Sequence, residues 1–197
     1  SQRKSSGVSR RGFLKGSGAA AAATAVVSVP VGEARAEQPK VIKGPSKFSC
    51  TVNGKTREAI VEPRTTLLDV LRYQWNLTGA KPVSVDGSSG ASTVLVDGRP
   101  VMASTILALT VRGKTIETVE SLGGDTPDLV PLAFVKHDAQ QCGFCTPGFV
   151  VAVRAFLNRH PDATEQQIRE GLNGNLCRCG TYANVLQAAL DVVKGGT

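Results

Sequence analysis

The sequence predicts an α+β fold in which a small strand-rich unit precedes a helical one. Two observations carry that prediction. Apolar residues alternate with polar ones at Phe48, Cys50 and Val52 and stop at Asn53-Gly54, the pattern of a half-buried strand entering a tight hairpin. After Gly123-Gly124 the apolar spacing changes to that of helices. With 197 residues, 41% of them hydrophobic, the chain can fill one or two small cores but not a large domain with its own deep cofactor pocket.

The elements follow in chain order. Residues 1–36 read as an export leader. Ser9-Arg10-Arg11-Gly12-Phe13-Leu14-Lys15 is basic, Gly16 to Val29 is mildly apolar, and Ala34-Arg35-Ala36 offers small residues at the two positions a signal peptidase reads. The adjacent arginines resemble the twin-arginine signal, which exports proteins already folded. The predicted location is periplasmic or otherwise exported. The apolar stretch is too short to span a bilayer comfortably, so a leader left uncut would act as a weak membrane anchor. Residues 37–46 read as a linker.

Over 47–122 the pattern is β-grasp-like. The strand at Phe48–Val52 returns at Ala59–Val61. Thr66 then caps an amphipathic helix over Leu67–Asn76 whose inner face is Leu67, Leu68, Leu71 and Trp75. A Gly/Ser-rich loop fills Gly79–Ser92. Thr93–Val96, the turn Asp97-Gly98 and Val101–Met102 make a second hairpin, and Ile106–Val111 with Thr115–Val119 complete the unit. Over 125–197 four helices are predicted. They are Leu129–Asp138, Gly148–Asn158, one entered by a Thr164/Gln167 capping box and ending near Gly174, and Tyr182–Val193.

Charge excludes one class of partner. The net charge is +7, but Arg3, Lys4, Arg10, Arg11, Lys15 and Arg35 stand against Glu33 alone in the leader, so most of the basicity lies there. Aromatic residues make up 5%, too few for a base-stacking surface, and no nucleic-acid partner is predicted.

The chemistry lies in the cysteines. Cys142-Gly143-Phe144-Cys145 and Cys177-Arg178-Cys179-Gly180 each precede a predicted helix start, with Thr146-Pro147 and Thr181 as cap signals. Two helix N-termini directed at one site favour thiolates and an anionic centre, and Gly143, Gly148 and Gly180 allow backbone amides to approach the sulfurs. Spacing alone leaves an iron–sulfur cluster, structural zinc and a pair of disulfides open, although C-x-C is unusual for zinc and five cysteines are an odd number for disulfides. Cys50 shares a strand face with Phe48 and Val52 and reads as a small core residue. His137 and His160 are isolated and read as helix-end or surface histidines rather than ligands.

The stretches Gln141-Cys142-Gly143-Phe144-Cys145-Thr146-Pro147-Gly148 and Gly174-Asn175-Leu176-Cys177-Arg178-Cys179-Gly180-Thr181-Tyr182 resemble the two signatures of the iron–sulfur subunit of the xanthine dehydrogenase/aldehyde oxidoreductase family of molybdenum hydroxylases. The likeness runs over 47–195 with the same domain order. It implies a plant-ferredoxin-like β-grasp domain followed by a four-helix domain that holds a [2Fe–2S] cluster on Cys142, Cys145, Cys177 and Cys179. It also implies a large partner subunit carrying molybdopterin, with Gln141 and Cys179 nearest the pterin, and electrons passing from molybdenum through this cluster during oxidation of an aldehyde or N-heterocycle.

The resemblance also exposes a departure. The family holds a second cluster in its β-grasp domain on a C-x4-C-x2-C…C pattern. Here the spacing is kept as Ser84, Ser89, Ser92 and Ser104, and every ligand position is serine. Four hydroxyls with far higher pKa than thiols do not suit iron that prefers soft sulfur. One cluster is therefore expected, and the serines are read as loop residues that hydrogen-bond the backbone. Pro82, Val83 and Val85 also depart from the family pattern. Without the outward relay, a cytochrome c or another redox subunit is expected to collect electrons at the surviving cluster. Two other readings stand beside this one. The first is a non-redox scaffold subunit with structural zinc, separable by metal content. The second is a free-standing ferredoxin, excluded by co-purification with a molybdenum subunit.

Overall fold

The computed structural model describes Arg11 and residues 41–195. The leader apart from Arg11 and residues 37–40 of the linker therefore lie outside the described residues, and the linker reading overlaps β1 at Ser46. From Ile42 onward the chain packs as one compact unit. Five strands form one mixed sheet: β1 (Ser46–Val52), β2 (Lys55–Val61), β3 (Thr93–Val96), β4 (Arg99–Met102) and β5 (Thr115–Glu117), in the order β2-β1-β5-β3-β4. Only β1 and β5 run parallel; the other pairs are antiparallel.

The alternation in β1 is realised as predicted, with Phe48, Cys50 and Val52 buried. Asn53 and Gly54 take φ of 49° and 76°, and Asp97 and Gly98 take 49° and 74°, the left-handed pairs that suit a two-residue hairpin to the twist of its strands. Each turn is tied to β5. The Asn53 side chain exchanges hydrogen bonds of 2.9 Å with the Thr118 hydroxyl and amide, and Asp97 accepts from the Thr115 amide at 2.9 Å.

The helix expected over Leu67–Asn76 is shorter and wider than a regular one. Thr66 and Asp69 make a capping box around a single turn, α1 (Leu67–Asp69), and Val70–Gln74 then continues as a wide turn in which the Trp75 amide reaches back to the Val70 carbonyl at 3.1 Å. Widening by one residue per turn buries Val70 together with Leu67, Leu68, Leu71 and Trp75. The Trp75 indole N–H finds the Glu58 carbonyl at 3.2 Å. Short 3-10 turns at Ala108–Val111 and Val119–Leu122 flank β5 where longer elements were expected.

The helices are α2 (Leu129–Lys136), α3 (Thr146–Arg159), α4 (Glu165–Gly171) and α5 (Tyr182–Val193). Asp128 caps α2 by accepting from the Val130 amide at 2.8 Å and is held by Arg154 at 3.2 Å. The Thr164/Gln167 capping box of α4 forms as predicted. Val130, Phe134, Phe149, Val153, Ile168 and Val185 centre the helical core, distinct from the core of Phe48, Leu67, Leu71, Val94 and Ile116 under the sheet. Leu95 of β3 meets Val151 and Ala155 of α3 between the two. Among the described residues no helix is long and apolar enough to cross a membrane.

The start of α3 lies against the Gly/Ser-rich loop so closely that a Cβ at Gly148 would collide with the Gly90 carbonyl oxygen and stand 3.0 Å from the Ala91 Cα. Both neighbours are backbone and have little freedom to yield. Gly148→Ala is therefore expected to destabilise the protein by roughly 1–3 kcal/mol, as other overpacking substitutions do. Thermal unfolding would read this as a melting temperature lower by roughly 2–4 °C per kcal/mol for a chain of this size.

Candidate metal centre

The two cysteine loops meet at the N-termini of α3 and α5. Gly143, at φ 79°, turns the first loop so that Cys142 and Cys145 both reach the site, and Gly180, at φ 82°, turns the second. The four thiols come together as two pairs, Cys145 with Cys177 and Cys142 with Cys179, each within hydrogen-bonding reach. All are free. Among the described residues no three Cys, His, Asp or Glu side chains gather as a single-ion site. Four thiols from two loops could hold either a [2Fe–2S] cluster or a single tetrahedral ion.

The pairs differ in environment. Cys177 is 6% exposed and Cys145 is partly buried, whereas Cys142 and Cys179 are exposed, with Gln141 exposed beside them. Burial pushes the Cys145 thiol up to about 12, and the neighbouring Cys177 sulfur adds to the rise. Burial also works against a Cys177 thiolate, but the Thr181 hydroxyl, the Thr181 and Gly180 amides and the Cys145 thiol hold it down to about 7. Cys179 is raised: hydrogen bonding from the Cys142 backbone lowers it, while the Cys142 thiol and its own desolvation outweigh that. The Gly180 amide donates to the Cys177 carbonyl at 3.3 Å, which closes the turn around the sulfur.

One helix-cap expectation is not met and a second is met in position only. Cys145, not Thr146, stands at the N-cap of α3. Thr146 is the first helical residue, and its buried hydroxyl has no hydrogen-bond partner in the chain. The reason is geometric: bringing Cys145 to the site starts the helix one residue early, with Pro147 still in the first turn, where its missing N–H costs nothing. Thr181 does stand at the N-cap of α5 but makes no cap bond, because its hydroxyl lies 3.2 Å from the Cys177 sulfur instead. Sequence reasoning also gave no role to Tyr182, whose phenol oxygen accepts the Cys177 amide at 2.8 Å and whose ring meets Phe149 edge-on at 6.1 Å. The signal available was spacing. Thr181 and Tyr182 follow Cys177 by four and five residues, the reach of one turn.

The serines occupy a separate place: Ser84, Ser89 and Ser92 lie on the Gly/Ser-rich loop, and Ser104 follows β4. Ser84 and Ser89 pair through their hydroxyls at 2.8 Å, and Ser92 and Ser104 pair at 3.0 Å. Each pair also accepts a backbone amide: Ser89 N–H donates to the Ser84 oxygen at 3.1 Å and Ser104 N–H to the Ser92 oxygen at 3.3 Å. The hydroxyl-to-backbone bonds expected of these serines are present, with serine–serine bonds in addition. The loop supports the second cysteine loop directly. The Leu176 amide donates to the Ser89 carbonyl at 2.9 Å, and the buried Asn175 side chain donates to the Gly90 carbonyl at 3.0 Å.

The remaining expectations fall into place away from the site. Cys50 is a core residue at 3% exposure, and burial pushes its thiol up to about 11. His137 and His160 end α2 and α3; His137 faces Asp191 at 3.3 Å and His160 packs against Phe156.

Comparisons with known proteins agree with this architecture. A family described as a [2Fe-2S] binding domain matches residues 118–190, and the twin-arginine translocation signal matches residues 7–27. The chain is 42% identical to the aldehyde oxidoreductase iron–sulfur-binding subunit PaoA of Escherichia coli K12, over 93% of this chain and 87% of that one. It is 41% identical to the nicotine 6-hydroxylase small subunit of Paenarthrobacter nicotinovorans, over 71% of this chain and 85% of that one. Among solved structures, quinoline 2-oxidoreductase from Pseudomonas putida 86 superposes with a TM-score of 0.73 at 39% identity, covering 76% of this chain and 93% of the matched chain. Identity at this level, over nearly the whole of each relative, places the chain in a family: it is an iron–sulfur subunit of the xanthine dehydrogenase/aldehyde oxidoreductase family of molybdenum hydroxylases.

Proposed function

We propose that this chain is exported and carries a single [2Fe–2S] cluster, held by Cys142, Cys145, Cys177 and Cys179, that takes electrons from molybdopterin in a large partner subunit. The observation that carries the reading is the contrast between two sets of four side chains. One set is thiols paired two by two at two helix N-termini; the other is hydroxyls already satisfied by one another and by backbone amides. Thiolates suit iron and hydroxyls do not. When bound, the cluster supplies a one-electron relay.

The chain's own residues would prepare that relay. Amides at Thr181 and Gly180 together with the Thr181 hydroxyl favour thiolate at the buried Cys177. Glycine at 143 and 180 lets the two loops turn around the site. The exposed pair Cys142 and Cys179, with Gln141 beside them and the half-exposed Phe144 and Leu176 around them, would form the face nearest the pterin of the partner. The partner's substrate would be an aldehyde or N-heterocycle, as the names of the relatives indicate for their own complexes. Residues 47–122 and 125–197 are proposed as the two domains, one for each main core, with 37–46 as linker. The twin-arginine match over residues 7–27 supports export of the folded, loaded protein, which spares the thiols from oxidation to disulfides. With no thiols on the serine loop, electrons would leave from the same cluster to an external redox protein such as a cytochrome c.

Metal analysis tests the cluster assignment. Iron and inorganic sulfide in equal amounts, with no stoichiometric zinc, are expected; zinc without sulfide would favour a structural site. Site-directed variants locate the centre. Cys145→Ala and Cys177→Ala are expected to lose the visible absorption of the cluster. Cys50→Ala should keep it and cost only about 1 kcal/mol of stability, the scale of removing one small buried group.

A further inference from the structure

We infer that Thr181 sets the reduction potential of this centre by donating its hydroxyl hydrogen to the Cys177 sulfur, an inference that rests on the four-cysteine reading above. The first observation is the contact itself, at 3.2 Å. The second is what Thr181 gives up to make it. A threonine at a helix N-cap ordinarily accepts an amide from the first turn and contributes about 1 kcal/mol by doing so. Thr181 occupies the N-cap of α5 and makes no such bond. Thr164, at the N-cap of α4, does. The backbone differs accordingly: Thr164 has the extended ψ of 162° of a capping residue, whereas Thr181, at ψ 18°, directs its hydroxyl to sulfur instead.

The direction of the bond follows from chemistry. A metal-bound cysteine sulfur is a thiolate with no proton to give, so the hydroxyl is the donor and the sulfur the acceptor. The bond lies in a setting that strengthens it, because Cys177 is 6% exposed and little water competes. It is also held in register. The Cys177 amide is fixed by the Tyr182 phenol oxygen at 2.8 Å, and the Leu176 amide before it by the Ser89 carbonyl at 2.9 Å, so the main chain that carries the sulfur is held in place beside Thr181. A donor aimed at a ligand sulfur stabilises negative charge there. The reduced centre carries one more electron than the oxidised centre, so it gains more from the bond, and the potential rises. Thr181 acts through Cys177. It is a positioning residue.

The experiment is a potentiometric titration with EPR detection on the intact complex, comparing wild type with Thr181→Val, Thr181→Ala and Thr181→Ser. The valine and alanine variants are expected to keep a [2Fe–2S] signal and to titrate at a more negative potential, with serine returning the midpoint toward wild type. In deuterium oxide, pulsed EPR should find a strongly coupled hydroxyl deuteron at the reduced centre in the wild-type and serine proteins, over and above the amide deuterons that the valine variant retains. Unchanged midpoints in both the valine and alanine variants would overturn the inference, as would a serine variant that shifts as far as valine. Should neither apolar variant load a centre, the wild-type hydroxyl deuteron coupling decides, and its absence overturns the proposal. A wild-type complex with no [2Fe–2S] signal would instead remove the four-cysteine reading, so the two failures are distinct.

Discussion

Backbone meets backbone at Gly90 and Gly148, and the rest of the site depends on that approach. A side chain at Gly148 would strike the Gly90 carbonyl, and one at Gly90 would strike the Gly174 carbonyl and the Asn175 side chain. Three segments are thereby locked together: the loop of serines, the start of α3 just after Cys145, and the loop that leads into Cys177. The bonds from Leu176 to Ser89 and from Asn175 to Gly90 complete the contact. Cys145 and Cys177 belong to different elements far apart in sequence. They become partners because both are anchored to the same strip of the serine loop.

That constraint accounts for a loop that keeps its shape after losing its thiols. A loop free to drift would release the second cysteine loop with it. Ser92 and Ser104 are 3% and 8% exposed, and an unpaired hydroxyl at such a site costs roughly 1–3 kcal/mol. Pairing the hydroxyls with one another and with the amides of Ser89 and Ser104 removes that penalty. Serine is close to cysteine in size and cannot form a disulfide, so four thiols without metal would be a liability in an oxidising compartment where four hydroxyls are not.

Much of this was legible in the sequence, and the misses have physical causes. Period-two alternation and the Asn-Gly and Asp-Gly turns located both hairpins, because those signals depend on local sterics alone. The α4 capping box was legible for the same reason. The wide turn after Asp69 was not, since it arises from burying Val70 and Trp75 against the sheet, a tertiary demand that overrides regular helix. The cap reading at Thr146 failed, and Thr181 holds the cap position without the cap bond, because each residue adjoins or faces a cysteine whose placement takes precedence over local capping. The cysteine spacing announced a centre, but only the fold showed that Cys145 and Cys177 lie deeper than the exposed Cys142 and Cys179, and that the serine loop supports the approach to Cys177.

Low-temperature EPR of the dithionite-reduced complex tests the central claim most directly, because it counts clusters without reference to substrate. The account predicts a single [2Fe–2S] species from this chain, integrating to one spin for each copy. Two distinguishable [2Fe–2S] signals that both integrate to this chain would contradict it, since the second would have to sit on the serine loop.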